Sequence, residues 1–107
     1  MIANTPKPPY YSVIFTSTLN ENHLGYDDTA YRVEELAQNQ EGFLGIESAR
    51  SEIGISVSYW KDLDSIRKWK AQTEHRVAQE KGKSIWYDQF KLRIAKVERD
   101  YSQNMDE

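Results

Sequence analysis

Four stretches of this chain alternate apolar with polar residues and two repeat at a 3.6-residue period, and the order in which they follow one another restricts the fold more than any single residue does. From Tyr10 to Leu19, Tyr11, Val13, Phe15 and Leu19 share one parity and Ser12, Ile14, Thr16 and Thr18 the other, as in a strand. After the loop NENHLG, Asp27 or Asp28 is the expected cap of a helix with Tyr26, Ala30, Val33, Leu36 and Ala37 on one side, ending near Gly42. Short strands at Phe43 to Ala49 and Ile53 to Trp60 follow, joined by a polar turn containing glycine. Asp62 is the expected cap of a second helix carrying Leu63, Ile66 and Trp69. That helix is expected to bend near Ala71, resume through Thr73 to Lys81 and stop at Gly82. Trp86 to Arg99 sets Phe90, Leu92 and Ile94 against Gln89, Lys91 and Arg93, a long last strand.

The order βαββαβ predicts an α+β domain of ferredoxin-like topology with an antiparallel sheet. At 107 residues the chain suits one core, and the domain is expected over residues 10–101, with 1–9 and 102–107 as flexible tails. Two helices cover only one face of a four-stranded sheet. The other face is expected to carry Ser12, Ile14, Thr16, Ser56, Ser58, Trp60 and Tyr87, a set too aromatic for solvent and too polar for a dry core. A second copy of the chain is the expected cover, which predicts a homodimer.

Composition removes several function classes. With 17 acidic against 14 basic residues the net charge is -3, which disfavours nucleic acid as a partner, since phosphate binding depends on clustered positive charge. No apolar run approaches the ~18 residues of a membrane helix, and the first residues lack the features of a signal peptide, so a cytoplasmic protein is expected. The absence of cysteine removes disulfides and thiolate chemistry, and fits a reducing compartment. His23 and His75 stand too far apart in sequence to suggest a metal site, and no P-loop or GxGxxG is present. No cofactor is expected.

Residues 58–99 carry a more specific signal: Tyr59-Trp60 ending a strand, Trp69 in the second helix, the His75-Arg76 pair, the Gly82 stop and Trp86-Tyr87 opening the last strand. In these features the chain resembles the antibiotic biosynthesis monooxygenase family of dimeric α+β barrels. The resemblance implies a subunit whose sheet packs on that of a partner, each subunit keeping a pocket between sheet and helices. It also implies either cofactor-independent oxygenation of polycyclic phenols or quinols, or haem degradation. The second-helix Trp of the phenol-oxidising members falls on Trp69. Six positions later they have a Tyr where this chain has His75, and four positions before the Trp an Asn where it has Ser65. The Asn, Trp and His set of the haem-degrading members is not reproduced, since their His falls near Gln79 and their Asn near Phe15 or Thr16.

From these residues, His75 is the candidate base, because its ordinary pKa near 6.5 lets a small shift set its state at neutral pH. The plain alternative is a surface or capping histidine. In an unbent helix it lies about 240° past Trp69, so the bend near Ala71 is needed to bring the two together. Trp69 is the other catalytic candidate and is equally suited to the core. Phe15, Thr16, Ser56, Tyr59 and Ser65 are the candidate substrate-binding residues. The expected ligand is a small aromatic or apolar molecule. The expected activity is cofactor-independent monooxygenation of an electron-rich phenol or quinol; the alternative is a non-catalytic barrel that carries or senses an apolar ligand or haem. Arg67, Lys68, Lys70 and Arg76, interleaved with Asp62, Asp64, Glu74 and Glu80, read as a solvated helix face.

Overall fold

A computed structural model describes residues 2–21, 25–79 and 87–103. Along the chain lie β1 (Tyr10–Leu19), α1 (Tyr26–Gln38), β2 (Phe43–Arg50), β3 (Gly54–Trp60), α2 (Leu63–Gln79) and β4 (Tyr87–Val97). The strands form one antiparallel sheet in the order β2-β3-β1-β4. This is the ferredoxin-like arrangement that the element order predicts. Gly82 and Trp86 lie outside the described residues, as does His23.

The helix starts differ in how they are made. Asp62 caps α2 as expected, its Oδ1 accepting the Ser65 backbone N–H at 2.8 Å. The cap of α1 is instead Gly25, at φ 86°, with no side-chain hydrogen bond, so neither Asp27 nor Asp28 holds that place. Glycine alone adopts this left-handed conformation without a steric cost, and Asp27 falls in the first turn, where a negative charge suits the helix dipole. No interruption occurs near Ala71: α2 is helical without a break from Leu63 to Gln79.

Which side of the sheet faces the helices is decided at Trp60. It stands opposite Tyr11 of β1 and Phe43 of β2, is completely buried, and belongs to the core cluster of Val13, Ala37, Trp60 and Ile66. Side chains alternate along a strand, so burying this indole turns Ser56 and Ser58 inward with it and puts Ile55, Val57 and Tyr59 on the far face. This corrects the expectation that Ser56, Ser58 and Trp60 lie on the uncovered face. The inward serine has a use, since the Ser58 hydroxyl accepts the Trp60 indole N–H at 2.8 Å.

Tyr87 is likewise on the helix side rather than the open one. A register shift at Thr18/Leu19 pairs Leu19 with Tyr87, and the displaced residue brings the phenol ring onto Phe15, 5.4 Å between centroids. The open face carries Ile14, Thr16, Ile55, Val57 and Tyr59. Residues 2–9 lie across part of it: the Ala3 N–H donates to Glu47 at 2.8 Å, and the Thr5 hydroxyl to the Tyr10 hydroxyl at 2.9 Å, which in turn donates to Asp100 at 2.6 Å.

Candidate functional site

Between the sheet and α2 the interior changes character along its length. At the end where β3 leads into α2 it is the aromatic core already described. Because α2 is the crossover between strands running the same way, it must travel back along the sheet. Each residue of α2 therefore advances about 1.5 Å toward the opposite end, where Phe15, Ser17, Ser56 and Tyr87 lie.

Trp69 sits two turns into α2, tilted on Trp60 with ring centroids 5.0 Å apart. The two stacked indoles differ in one respect: the N–H of Trp60 is satisfied by Ser58, whereas the Nε1 of Trp69 is buried with no hydrogen-bond partner. One turn further along the same helix face, the Thr73 hydroxyl is also buried and unpartnered. Side chains four apart on a helix are neighbours, at about 5–6 Å between Cβ atoms. Each unsatisfied buried polar atom costs about 1–3 kcal/mol, so two of them one helical turn apart are a place where a hydrogen-bonding partner would stabilise the fold.

Beyond Thr73 lies a cluster of rings. Phe15 contacts Phe90 at 5.7 Å, Tyr26 contacts Tyr87 at 5.7 Å, and Tyr87 contacts Phe90 at 5.9 Å. Burial pushes the Tyr87 hydroxyl far above its ordinary pKa, with Tyr26 adding to the rise and the charge of Arg50 opposing it, so this phenol stays protonated and can donate. The Arg50 guanidinium lies 5.3 Å from the centre of the Tyr26 ring and donates to the buried Ser17 hydroxyl and, at 3.4 Å, to the Tyr26 hydroxyl.

The structure brings together only some of the residues expected to form a site. Trp69, Phe15 and Ser56 all face the space between sheet and helices. Thr16 and Tyr59 are on the opposite face, where the Tyr59 hydroxyl donates to Glu47 at 2.7 Å and is pushed up to about 12, by burial first and by the carboxylate second. Ser65 is buried in the first turn of α2, engaged with Asp62 and packed against Gly42, one turn before Trp69. His75 belongs to α2, but its side chain lies outside the described set. Thr73, not singled out from the sequence, is the residue that shares a face with Trp69; its signal was the i+4 spacing, obscured by the expected bend. Arg67 and Lys68 both pair with Asp64 on the exposed face of α2, the latter at 3.2 Å.

Comparison with known proteins adds to this geometry. The family model described as antibiotic biosynthesis monooxygenase matches residues 13–81. The chain is 51% identical over 100 residues to the uncharacterized protein YqjZ of Bacillus subtilis, covering 92% of this chain and 88% of that one. Among solved structures it is similar to PA3566 from Pseudomonas aeruginosa, with a TM-score of 0.68 at 15% identity over 90% of this chain and 99% of the other. It is also similar to SnoaB, a cofactor-independent oxygenase from Streptomyces nogalater, with a TM-score of 0.61 at 15% identity over 94% and 100% of the two chains. At such identity these structures establish a shared fold.

Proposed function

The chain belongs to the antibiotic biosynthesis monooxygenase family, and on that premise we propose that it is a cofactor-independent monooxygenase of an electron-rich phenol or quinol, bound between the sheet and α2. The observation that carries this reading is the adjacent pair of buried, unpartnered polar atoms, Trp69 Nε1 and Thr73 Oγ1. A phenol or quinol oxygen placed between them accepts from the indole N–H and exchanges a hydrogen bond with the hydroxyl. The flat body of such a molecule suits the rings of Phe15, Tyr87 and Trp60. Deprotonated, the substrate is itself the electron donor to dioxygen, so the protein need supply only an apolar enclosure, a base and a donor that steadies the anion. His75 is the proposed base and Trp69 the proposed donor.

The working unit of this proposal is a cytoplasmic homodimer. The chain exposes 8091 Å², against about 6,200 Å² for a compact monomer of its mass. Part of the excess is apolar: Ile55, on the open face opposite Thr16, is 47% exposed. A partner sheet over Ile55 and its open-face neighbours Ile14 and Val57 is the cover that the barrel geometry calls for. No described helix is long and apolar enough to cross a membrane.

Oxygen uptake with a panel of anthrones and quinols, in chelator-treated buffer, tests the assignment. Turnover above the uncatalysed rate that falls in Trp69→Phe and in His75→Ala is the expected result. Ligand-induced tryptophan quenching without oxygen uptake is the opposing one, and would make the protein a non-catalytic barrel for an apolar ligand or haem.

A further inference from the structure

The ring-lined end of the space between sheet and helices carries at its exposed rim a charge, Arg50, that oxygenation of a neutral phenol does not need. Arg50, the last residue of β2, lays its side chain across β3 to reach β1, donating to both the hydroxyl and, at 3.5 Å, the carbonyl of Ser17. The path exists because Gly54 has no side chain: a Cβ there would overlap the guanidinium. Tyr26 supports the group from the other side by its ring face and its hydroxyl. Packing on an aromatic face and bonding to a buried hydroxyl fix the fork in one orientation beside the cluster of Phe15, Tyr26, Tyr87 and Phe90.

Among the described residues this seat holds no anion. The described ion pairs of the fold join Lys61 to Glu41 and Arg67 and Lys68 to Asp64, and among the described residues no carboxylate pairs with Arg50. A guanidinium presents five N–H donors. The three contacts to Ser17 and Tyr26 leave others free, and all three acceptors are neutral. A pin between strands needs no positive charge, whereas a bidentate fork held against an aromatic cluster matches a planar pair of anionic oxygens attached to a flat apolar body.

We propose that Arg50 is the specificity-determining anchor of this pocket and that its ligands are amphipathic carboxylic acids, the carboxylate on the guanidinium and the ring system among Phe15, Tyr26, Tyr87 and Phe90. The inference rests on the reading of the interior as a ligand pocket and narrows its substrate class to acids. The reacting oxygen lies at Trp69 and Thr73, and the carboxylate at the far end sets which molecules enter and in which direction.

Isothermal titration calorimetry of the full chain with 2-naphthoate and its neutral analogue 2-naphthamide separates the two ideas. The wild type is expected to bind the acid about tenfold or more tightly than the amide. Arg50→Met should bring the acid down to the affinity of the amide and leave the amide unchanged, while Arg50→Lys, which keeps the charge and loses the fork, should retain part of the preference. Equal binding of acid and amide by the wild type, or an acid preference that survives in Arg50→Met, overturns the anchor but leaves the pocket standing. Binding of neither probe overturns both.

Discussion

Replacing Thr73 by valine keeps the branched shape and removes one hydroxyl, which the structure shows buried without a partner. In most buried positions deleting a hydroxyl from a threonine costs stability, because a hydrogen bond is lost. Here there is none to lose. The unliganded protein should instead gain the penalty of burying an unsatisfied polar atom, about 1–3 kcal/mol, with helix propensity nearly unchanged, since valine and threonine rank together. For a chain of 107 residues a gain of 1 kcal/mol raises Tm by roughly 4–8 °C, the scale for domains of about this size. The same change should weaken binding of a phenol whose oxygen the hydroxyl meets by about five- to tenfold, the worth of one neutral hydrogen bond. Melts of both proteins at one fixed concentration, needed because a dimer's Tm depends on concentration, combined with ligand titrations, give the two quantities. A Thr73→Val protein that melts lower than wild type would show that the hydroxyl is satisfied in the folded protein, and would remove half of the proposed polar pair.

Other consequences follow from named contacts. Ser58→Ala should strand the Trp60 indole N–H in the core and lower stability by about 1–3 kcal/mol, measured by urea unfolding; a neutral effect would mean that Trp60 finds another acceptor. Glu47 is held below its ordinary pKa, first by the Tyr59 hydroxyl and then by the Ala3 N–H, so the N-terminal contact it provides is present above its unfolded value near 4.5. As pH falls through the lower folded value that contact should be lost, and the protection of the Ala3 amide against hydrogen exchange, relative to an unstructured chain at the same pH, should fall, whereas protection that persists well below pH 4.5 would contradict it. Ile14→Asp places a charge on the open face and should yield monomers in sedimentation velocity, with loss of stability; a folded dimer would show that this face is not the interface.

The sequence patterns were sufficient for the elements and their order, because strand and helix periodicities are local properties. The faces were not. In β3 the apolar set Ile55, Val57, Tyr59 looks like the core side, yet the register that seats Trp60 between Tyr11 and Phe43 reverses it, and register is a long-range property. The position of Tyr87 depends on a bulge that no residue type announces. Asp62 was readable as a cap because a carboxylate three residues before a buried serine acts through one short contact, whereas Gly25 caps by conformation alone. Of the site, Trp69 was legible from its family position. Thr73 was hidden by an interruption expected near Ala71 that the helix does not contain, and Arg50 by the fact that its contacts lie at Gly54 and Ser17, on two other strands.

The central claim is that Trp69 and Thr73 await the oxygen of a bound phenol, and the indole N–H groups report on it directly. In a nitrogen-15 spectrum recorded under anaerobic conditions, titration with 1-naphthol should shift the Trp69 indole resonance and slow its hydrogen exchange. The Trp60 indole, already bonded to Ser58, should keep its exchange rate and serves as the internal control. A Trp69 indole whose shift and exchange do not respond at saturating 1-naphthol would contradict the account.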